Sequence, residues 1–224
     1  MPTLYFIATP IGNLEDITIR AKRILAEVDA VLAEDKRVSR KLLDHLEIKT
    51  PLAVWHQHSK GTDWNKIKKL LSEDKDLALI TDAGTPGLSD PGGQLIAKVL
   101  EEFPETEIVP IPGPSSLAAI ISVAGIALDK FLFLGFLPHK KGRQTLVAEI
   151  KDSKIPVIFL ESVHRIEKAL DQLGDCPKQL IVGRELTKQF ETIYRGTAQE
   201  ILAILNSDKT KVKGEFIVIV NKKK

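Results

Sequence analysis

The sequence predicts an α/β protein of two α/β domains, the first built on a mostly parallel sheet and the second on a mixed sheet. Three observations predict it. Short apolar runs alternate with amphipathic segments through the first half, which is typical of repeated β-α units. Loops rich in glycine and proline follow several of these apolar runs. Beyond residue 112 the alternation becomes less regular, so we expect domains at 1–112 and 113–224.

In the first half, the short apolar runs are predicted strands, and the segments with apolar residues at helical spacing are predicted helices. The predicted strands cover residues 4–8, 30–33, 52–55, 77–81 and 108–111. The predicted helices cover residues 17–28, 38–46, 64–71 and 94–100. Strands that alternate with helices in this way predict a parallel sheet with helices on both faces.

The second half begins with a change of pattern. Pro112 and Pro114 disfavour a helix before them, and Ser115 or Ser116 can cap a helix over the small apolar residues 117–127. The later predicted strands cover residues 131–134, 157–160, 180–182, 191–194 and 216–220, and the helices 145–150, 163–173 and 198–205. Because residues 189–195 alternate with period two, as an antiparallel strand does, the second sheet is predicted to be mixed.

Composition excludes several classes of protein. Lys and Arg number 32 against 30 Asp and Glu, a net charge of +2, so a nucleic-acid partner would have to bind a local basic patch. A single cysteine, Cys176, excludes an internal disulfide and gives no metal-ligand spacing. No apolar stretch is long enough to span a membrane, and the N-terminal residues lack the pattern of a signal peptide. We therefore expect a cytoplasmic protein without a bound metal.

The most informative loop is TDAGTPGLSDPGG, residues 81–93, which follows a predicted strand. It holds four glycines, two prolines and two aspartates. A long loop of this composition is costly to order and is more often a binding loop than an elaborate turn. Glycine allows a ligand to approach the backbone closely, and Asp82 can accept hydrogen bonds from ribose hydroxyls or an amine.

Polar or glycine-containing segments follow other predicted strands. TPIGNL, residues 9–14, lies where α/β sheets bind ligands, although it lacks the dinucleotide fingerprint and can be a simple turn. AEDKR, residues 33–37, can orient a substrate or hold a proton, or it can be a solvated helix start. PIPGPSS, residues 110–116, can bind a polar group at a helix start or form a rigid corner between domains.

In this order the motifs resemble the tetrapyrrole methylase superfamily, and within it the bacterial enzymes that methylate a cytidine 2′-hydroxyl in small-subunit (16S) ribosomal RNA. The resemblance covers essentially the whole chain and is carried by residues 8–18, 33–43, 81–92, 110–117, 133–138, 161–166, 183–188, 195–197 and 213–216. It implies S-adenosylmethionine as methyl donor, bound in the cleft between two α/β domains. It also implies a homodimer that acts on ribosomal RNA or the assembled small subunit.

The resemblance assigns site residues by motif. Those implied to bind the donor are Pro10, Asp82, Gly84, Thr85, Ser115, Ser116, Glu161, Ser162 and Leu186. Those implied to face the substrate are Glu34, Asp35, Arg37 and Arg40. Relatives usually carry a further C-terminal segment that this sequence does not show. RNA binding is therefore expected at the densest basic cluster near a loop, which is Lys140, Lys141 and Arg143.

The implied reaction is an in-line attack of a ribose oxygen on a sulfonium methyl group, for which positioning supplies much of the rate. A ribose hydroxyl is a weak acid, so a carboxylate should accept its proton, and Asp35 and Asp90 are the candidates because both lie at strand ends. Three alternatives remain open at this point: a tetrapyrrole C-methyltransferase, a diphthine synthase, and a non-catalytic RNA- or ligand-binding module. The sequence does not identify the methylated nucleotide.

Overall fold

The computed structural model describes residues 1–56, 61–90, 92–174, 176–208 and 210–221 of the chain. It divides into two compact units, Met1–Ser115 and Ser116–Lys224, called unit 1 and unit 2 below. No helix among the described residues is long and apolar enough to cross a membrane.

Unit 1 is a parallel sheet with helices between its strands, as predicted. The strands are β1 (Thr3–Ile7), β2 (Ala30–Ala33), β3 (Leu52–Val54), β4 (Leu77–Ile80) and β5 (Glu107–Ile111). The helices are α1 (Ile19–Glu27), α2 (Lys36–His45), α3 (Gly61–Ser72) and α4 (Gly92–Glu102). The strand order is β3-β2-β4-β1-β5, and every pairing is parallel.

Two apolar clusters form the core of unit 1. One joins strand residues such as Val31 and Ile80 to Leu25 of α1 and Leu43 of α2. The other joins strand residues on the alternate positions, such as Leu32, to α3 and α4. Because neighbouring residues of a strand point to opposite faces, the two clusters lie on opposite sides of the sheet. The sheet is thus buried on both faces, and its loops and ends are left to carry polar groups.

The carboxyl ends of all five strands stop at one row of the sheet. Ile7 pairs with Ile80 and Ile111, and Ala33 pairs with Ile80 and Val54. These five residues are the last of their strands. The residues that follow them therefore begin side by side along one edge of the sheet.

Unit 2 holds a mixed sheet, which confirms that prediction. Its helices are α5 (Ser116–Ser122), α6 (Arg143–Asp152), α7 (Ile166–Leu173) and α8 (Ala198–Asn206). Its strands are β6 (Leu132–Phe136), β7 (Val157–Ser162), β8 (Leu180–Arg184), β9 (Thr192–Gly196) and β10 (Glu215–Val220). The order is β6-β7-β10-β8-β9, with β6 and β7 parallel and the other pairs antiparallel.

Helix α5 is shorter than the predicted helix, which extended to residue 127. The backbone N–H groups of Val123 and Ala124 donate to carbonyls three residues earlier, which tightens the last turn. Gly125 then takes a φ of +71°, a left-handed conformation that ends helices and suits glycine. The periodicity of the apolar residues continued past the point where this glycine stops the helix.

Candidate functional site

Chemically active groups gather along the carboxyl edge of the sheet of unit 1. The strands end in register there, so Glu34 after β2 lies between Trp55 after β3 and Thr81 after β4. The backbone N–H of Trp55 donates to the carbonyl of Ala33 at 2.9 Å, which carries the alignment one residue beyond β3. The parallel register thus brings together loops that are far apart in the sequence.

Three of these loops are joined by hydrogen bonds. Thr9 and Gly84 exchange two backbone hydrogen bonds of 2.9 and 3.0 Å. The Thr9 hydroxyl also donates to the carbonyl of Thr81 at 3.1 Å, and the Thr85 hydroxyl donates to the carbonyl of Pro114 at 3.2 Å. The loops after β1, β4 and β5 therefore form one connected surface, called the loop platform below.

Two glycines of the loop platform are required by its geometry. Gly84 has a φ of +82°, and a side chain there would place its Cβ 3.4 Å from Cγ2 of Ile11. A Cβ on Gly113 would lie 3.1 Å from the Cβ of Ala8, closer than most such contacts. The left-handed backbone at Gly84 and the close approach at Gly113 thus favour residues without a side chain.

Most predicted donor-binding residues of unit 1 lie on this platform. Pro10 and Gly84 are buried within it, and Thr85 is partly buried. Asp82 is the second residue of the long loop after β4. Ser115 follows Pro114 directly and is partly buried, and Ser116, the first residue of α5, belongs to unit 2.

The two aspartates predicted to be the base are occupied by structural hydrogen bonds. Asp35 is the N-cap of α2, and its carboxylate accepts the backbone N–H of Arg37 at 2.8 Å and lies 3.2 Å from the Arg37 guanidinium. These bonds hold the pKa of Asp35 below its usual range, with the backbone hydrogen bond the largest cause. Oδ1 of Asp90 accepts the backbone N–H groups of Gly87 and Gly92, both at 2.7 Å.

Arg37 and Arg40, the cations predicted to lie near this edge, form ion pairs. Arg37 is exposed and pairs with Asp35, whereas Arg40 pairs with Asp44 one turn along α2 at 3.9 Å. Asp82 is connected to this region because its Oδ1 accepts the backbone N–H of Asp35 at 3.3 Å. Glu34 therefore lies near several carboxylates, and the two arginines predicted to face the substrate are paired with other carboxylates.

This distribution of charge changes the pKa of Glu34. Partial burial raises the pKa of Glu34 above its usual value, and the negative charges of Asp82 and Asp90 raise it further, while His56 opposes them. The pKa of Asp82 is raised too, mainly by partial desolvation of its carboxylate. Two carboxyl groups with raised pKa values, next to aspartates that serve structural roles, are typical of a functional site.

A small cavity opens beside Glu34. It is lined by Glu34, Trp55, Leu79, Ile80, Thr81, Pro86, Asp90 and Gly92. Trp55 is only 4% exposed, and its indole N–H has no hydrogen-bond partner among the described residues. The prediction from sequence assigned Trp55 to a strand and missed it as a site residue, although its position just after an apolar strand could have indicated it.

Unit 2 contains a buried ion network around Glu161. This residue is 1% exposed, and its carboxylate lies 3.0 Å from Nη1 of Arg143 and 2.8 Å from Nε of Arg165. It also accepts the backbone N–H of Ser162 at 2.9 Å. The carboxylate predicted to bind the donor is therefore engaged within unit 2.

The burial of Arg143 removes this residue from the predicted basic patch. Its side chain is 3% exposed, and it donates to Glu161, to Gln172 and to the carbonyl of Pro138. A guanidinium enclosed in this way cannot reach an RNA phosphate. Lys140 and Lys141 remain exposed in the loop between β6 and α6, so the patch that the structure presents there is smaller than expected.

The other predicted residues of unit 2 lie at the ends of its strands. The Ser162 hydroxyl accepts a hydrogen bond from Arg165 at 3.3 Å. Leu186 is buried between Glu185 and Thr187, which both have positive φ values, of +50° and +66°. Such backbone strain in non-glycine residues occurs preferentially at functional sites. Among the described residues, no group of three or more histidines, cysteines or acidic residues could hold a metal ion.

Comparison with known families gives one match over most of the chain. The model of the tetrapyrrole (corrin/porphyrin) methylases matches residues 3–202. The chain resembles a solved structure of a cobalamin biosynthetic enzyme, cobalt precorrin-4 methyltransferase, with a TM-score of 0.68 at 18% identity over 97% of this chain and 94% of that one. At this identity the structural likeness shows the fold.

Relatives of higher identity are named as ribosomal RNA small subunit methyltransferase I. One from Halalkalibacterium halodurans is 41% identical over 223 residues, which is 97% of this chain and 75% of the relative. Another, from Thermotoga maritima, is 39% identical over 227 residues and covers the whole of both chains. The similarity to these proteins therefore extends through both units.

Proposed function

Because the chain belongs to the tetrapyrrole (corrin/porphyrin) methylase family, we propose that it is a methyltransferase that uses S-adenosylmethionine to methylate small-subunit ribosomal RNA. The observation that carries the proposal is the loop platform of unit 1. The loops after β1, β4 and β5 meet there through the paired hydrogen bonds of Thr9 and Gly84 and the bond from Thr85 to Pro114. The carboxyl ends of parallel strands are where α/β sheets bind ligands.

The charges around the platform suit a cationic donor. When bound, S-adenosylmethionine supplies a methyl group on a positively charged sulfur. Asp82 and Asp90 supply negative charge near the platform, whereas Arg37 and Arg40 are paired with other carboxylates. An acidic surrounding attracts a cation, and Asp82 offers oxygens to ribose hydroxyls or to an ammonium group.

The donor-binding residues of unit 1 are Pro10, Asp82, Gly84, Thr85 and Ser115. The buried Pro10 and the left-handed Gly84 shape the surface, and the Thr85 hydroxyl fixes the distance between two of its loops. Ser116, Ser162 and Leu186 of unit 2 are further candidates for donor binding, assigned by the motifs that they share with the family. Glu161 acts there as a positioning residue, because its carboxylate is already bonded to Arg143, Arg165 and Ser162.

The acceptor is the 2′-hydroxyl of a cytidine in 16S ribosomal RNA. Relatives near 40% identity over 97% or more of the chain carry the ribosomal RNA name, whereas the cobalamin enzymes resemble it at 15–18% identity. This difference favours RNA over a tetrapyrrole as the substrate. The protein works in the cytoplasm as a homodimer, on the RNA or on the assembled small subunit.

The test is methyl transfer from radiolabelled S-adenosylmethionine. Small ribosomal subunits that lack the methyl group, naked 16S RNA and a porphyrinogen are offered in parallel, followed by mapping of the modified nucleotide. We expect label in RNA and none in the porphyrinogen. Label in the porphyrinogen alone would identify a tetrapyrrole methyltransferase. Donor binding without transfer to any acceptor would indicate a non-catalytic module.

A pair of variants tests the loop platform in the same assay. Thr85→Val removes the hydroxyl that donates to Pro114, and Thr85→Ser keeps it. A hydrogen bond of this kind contributes about 0.5–1.5 kcal/mol to the alignment of the two loops, so the Kd for S-adenosylmethionine should rise in Thr85→Val, by at most roughly 12-fold. Equilibrium dialysis measures this change. Equal affinities of the two variants would remove Thr85 from the binding surface.

A further inference from the structure

Four carboxylates lie near the carboxyl edge of unit 1, and the structure gives them different roles. Asp35 caps α2 and pairs with Arg37. Oδ1 of Asp82 accepts the backbone N–H of Asp35. Oδ1 of Asp90 ties the long loop together through Gly87 and Gly92. Glu34 has no hydrogen bond or ion pair with any described residue of the chain, so within the described part both of its oxygens can accept a hydrogen bond from a ligand.

The position of Glu34 is fixed by the sheet. It follows the last residue of β2, a strand that pairs in register with β3 on one side and β4 on the other. The next residue, Asp35, is held by the cap of α2 and by its bond to Asp82. The backbone of Glu34 is thus fixed on both sides, which a group that must meet a reacting atom requires.

A second observation points to a ligand at the same place. Trp55 lines the cavity that Glu34 lines, and its buried indole N–H lacks a partner among the described residues. The neighbouring Trp64 is satisfied, since its indole N–H donates to Glu102 at 2.8 Å. Buried N–H groups are nearly always hydrogen-bonded, so an oxygen that does not belong to the described residues is expected beside Trp55. A ribose hydroxyl or a water that it displaces provides such an oxygen.

We propose that Glu34 is the general base of the reaction, in place of Asp35 or Asp90; this inference rests on the proposed methyltransferase function. As the ribose oxygen forms its bond to the methyl carbon, the carbon–sulfur bond breaks and its electron pair stays on sulfur. The hydroxyl proton passes to the carboxylate of Glu34. The neutral Glu34 then returns the proton to water, so charge and atoms balance.

The electrostatic surroundings suit this role. Glu34 is faced by Asp82 and Asp90 from the β4–α4 loop and by His56 beyond β3, and partial burial together with the two aspartates raises its pKa. A general base works best when its pKa lies near the pH of the reaction, because it then binds the proton more strongly while remaining ionised. The lowered pKa of Asp35 makes that residue the weaker base.

The experiment compares Glu34→Gln, Asp35→Asn and Asp90→Asn in single-turnover methyl transfer to undermethylated small subunits across a pH range. Glu34→Gln should be slower by about 100-fold or more at neutral pH. The wild-type rate should fall as the pH drops through the pKa of Glu34, and this acid limb should vanish in Glu34→Gln. Glu34→Asp should keep the acid limb with a rate about 10-fold lower. Glu101→Gln, an exposed glutamate of unit 1, serves as the matched control and should behave as wild type.

Folding does not confound the comparison. Since the pKa of Glu34 is raised in the folded state, its charged form is less favourable there than in the unfolded chain, and the neutral glutamine should not lower the Tm near pH 7. Equilibrium dialysis with S-adenosylmethionine should give a Kd within about 3-fold of wild type, a difference of roughly 0.6 kcal/mol.

Three results would overturn the assignment. Glu34→Gln could keep a rate near wild type, it could be slow with an unchanged acid limb, or its loss of rate could follow loss of donor binding. A wild-type protein that binds the donor but labels no ribosomal RNA would instead refute the proposed function, and the base assignment with it.

Discussion

Burial decides what Arg143 does. The residue belongs to the densest basic cluster in the sequence near a loop, yet its guanidinium is enclosed with Glu161, Gln172 and the carbonyl of Pro138. A charged group that has lost its water must be compensated by such partners. At the residue scale, therefore, a basic side chain serves as a structural ion at Arg143 and as a solvated cation at Lys140 and Lys141.

This role predicts a loss of stability in Arg143→Met. Among the described residues, removing the cation leaves the buried Glu161 with Arg165 as its one charged partner, so the free energy of unfolding should fall by about 3 kcal/mol. Urea unfolding at constant m-value measures it. Lys141→Met, an exposed neighbour in the same loop, should change stability by less than about 0.5 kcal/mol. Similar values for the two variants would mean that the ion network does not stabilise unit 2.

At the scale of elements, the start of α2 joins folding and function. Glu34 and Asp35 are adjacent in sequence, but the strand ends before Glu34 and the helix cap begins at Asp35. Glu34 therefore lines the cavity, while Asp35 caps the N-terminus of α2. The sequence pattern AEDKR contains both carboxylates and gives no means of separating these roles.

The role of Asp35 as N-cap predicts that two of its variants differ in stability. Asp35→Ala should lower the free energy of unfolding by about 1 kcal/mol, because the N–H of Arg37 loses its acceptor. Asp35→Ser keeps a capping oxygen and should retain nearly all of that stability. Both variants should keep most of the methyl-transfer rate. A loss of roughly 100-fold in Asp35→Ser, measured in the same assay, would return the role of base to Asp35.

At the scale of the whole molecule, charge is nearly balanced. The net charge of +2 gives little general attraction to RNA, so RNA binding must depend on local cations. Lys140 and Lys141 are exposed in the β6–α6 loop, whereas Arg143 is withdrawn into the core of unit 2.

The exposure of Lys140 and Lys141 predicts that neutralising them changes the salt dependence of RNA affinity. In Lys140→Gln/Lys141→Gln, the slope of log affinity for small-subunit RNA against log salt concentration should become shallower by about 1.4–1.8, from two lost phosphate contacts. The control variant Lys154→Gln/Lys168→Gln makes the same charge change at exposed positions of unit 2 and should leave the slope unchanged. The slopes are measured by filter binding between roughly 50 and 200 mM salt. An unaltered slope in the first variant would locate the RNA contacts elsewhere.

Much of the fold was accessible from the sequence because its local signals agree with its tertiary structure. The apolar run 30–33 forms β2, and the period-two segment 189–195 includes all but the last residue of β9, which pairs antiparallel with β8. The parallel first sheet and the mixed second sheet follow from these same patterns. Where the prediction erred, as at the end of α5, a single glycine with a left-handed backbone outweighed a continuing apolar pattern.

By itself the sequence determined the two kinds of sheet and the family, and it placed the glycine-rich loops after strands. These features depend on neighbouring residues and on motif order, which a linear chain records. Only the tertiary structure decided which side chains share a surface: the row of strand ends that sets Glu34 beside Trp55, the bonds that occupy Asp35 and Asp90, and the burial of Arg143. Register and burial arise from contacts between distant segments, and such contacts determine the solvation and charge on which the role of each polar residue depends.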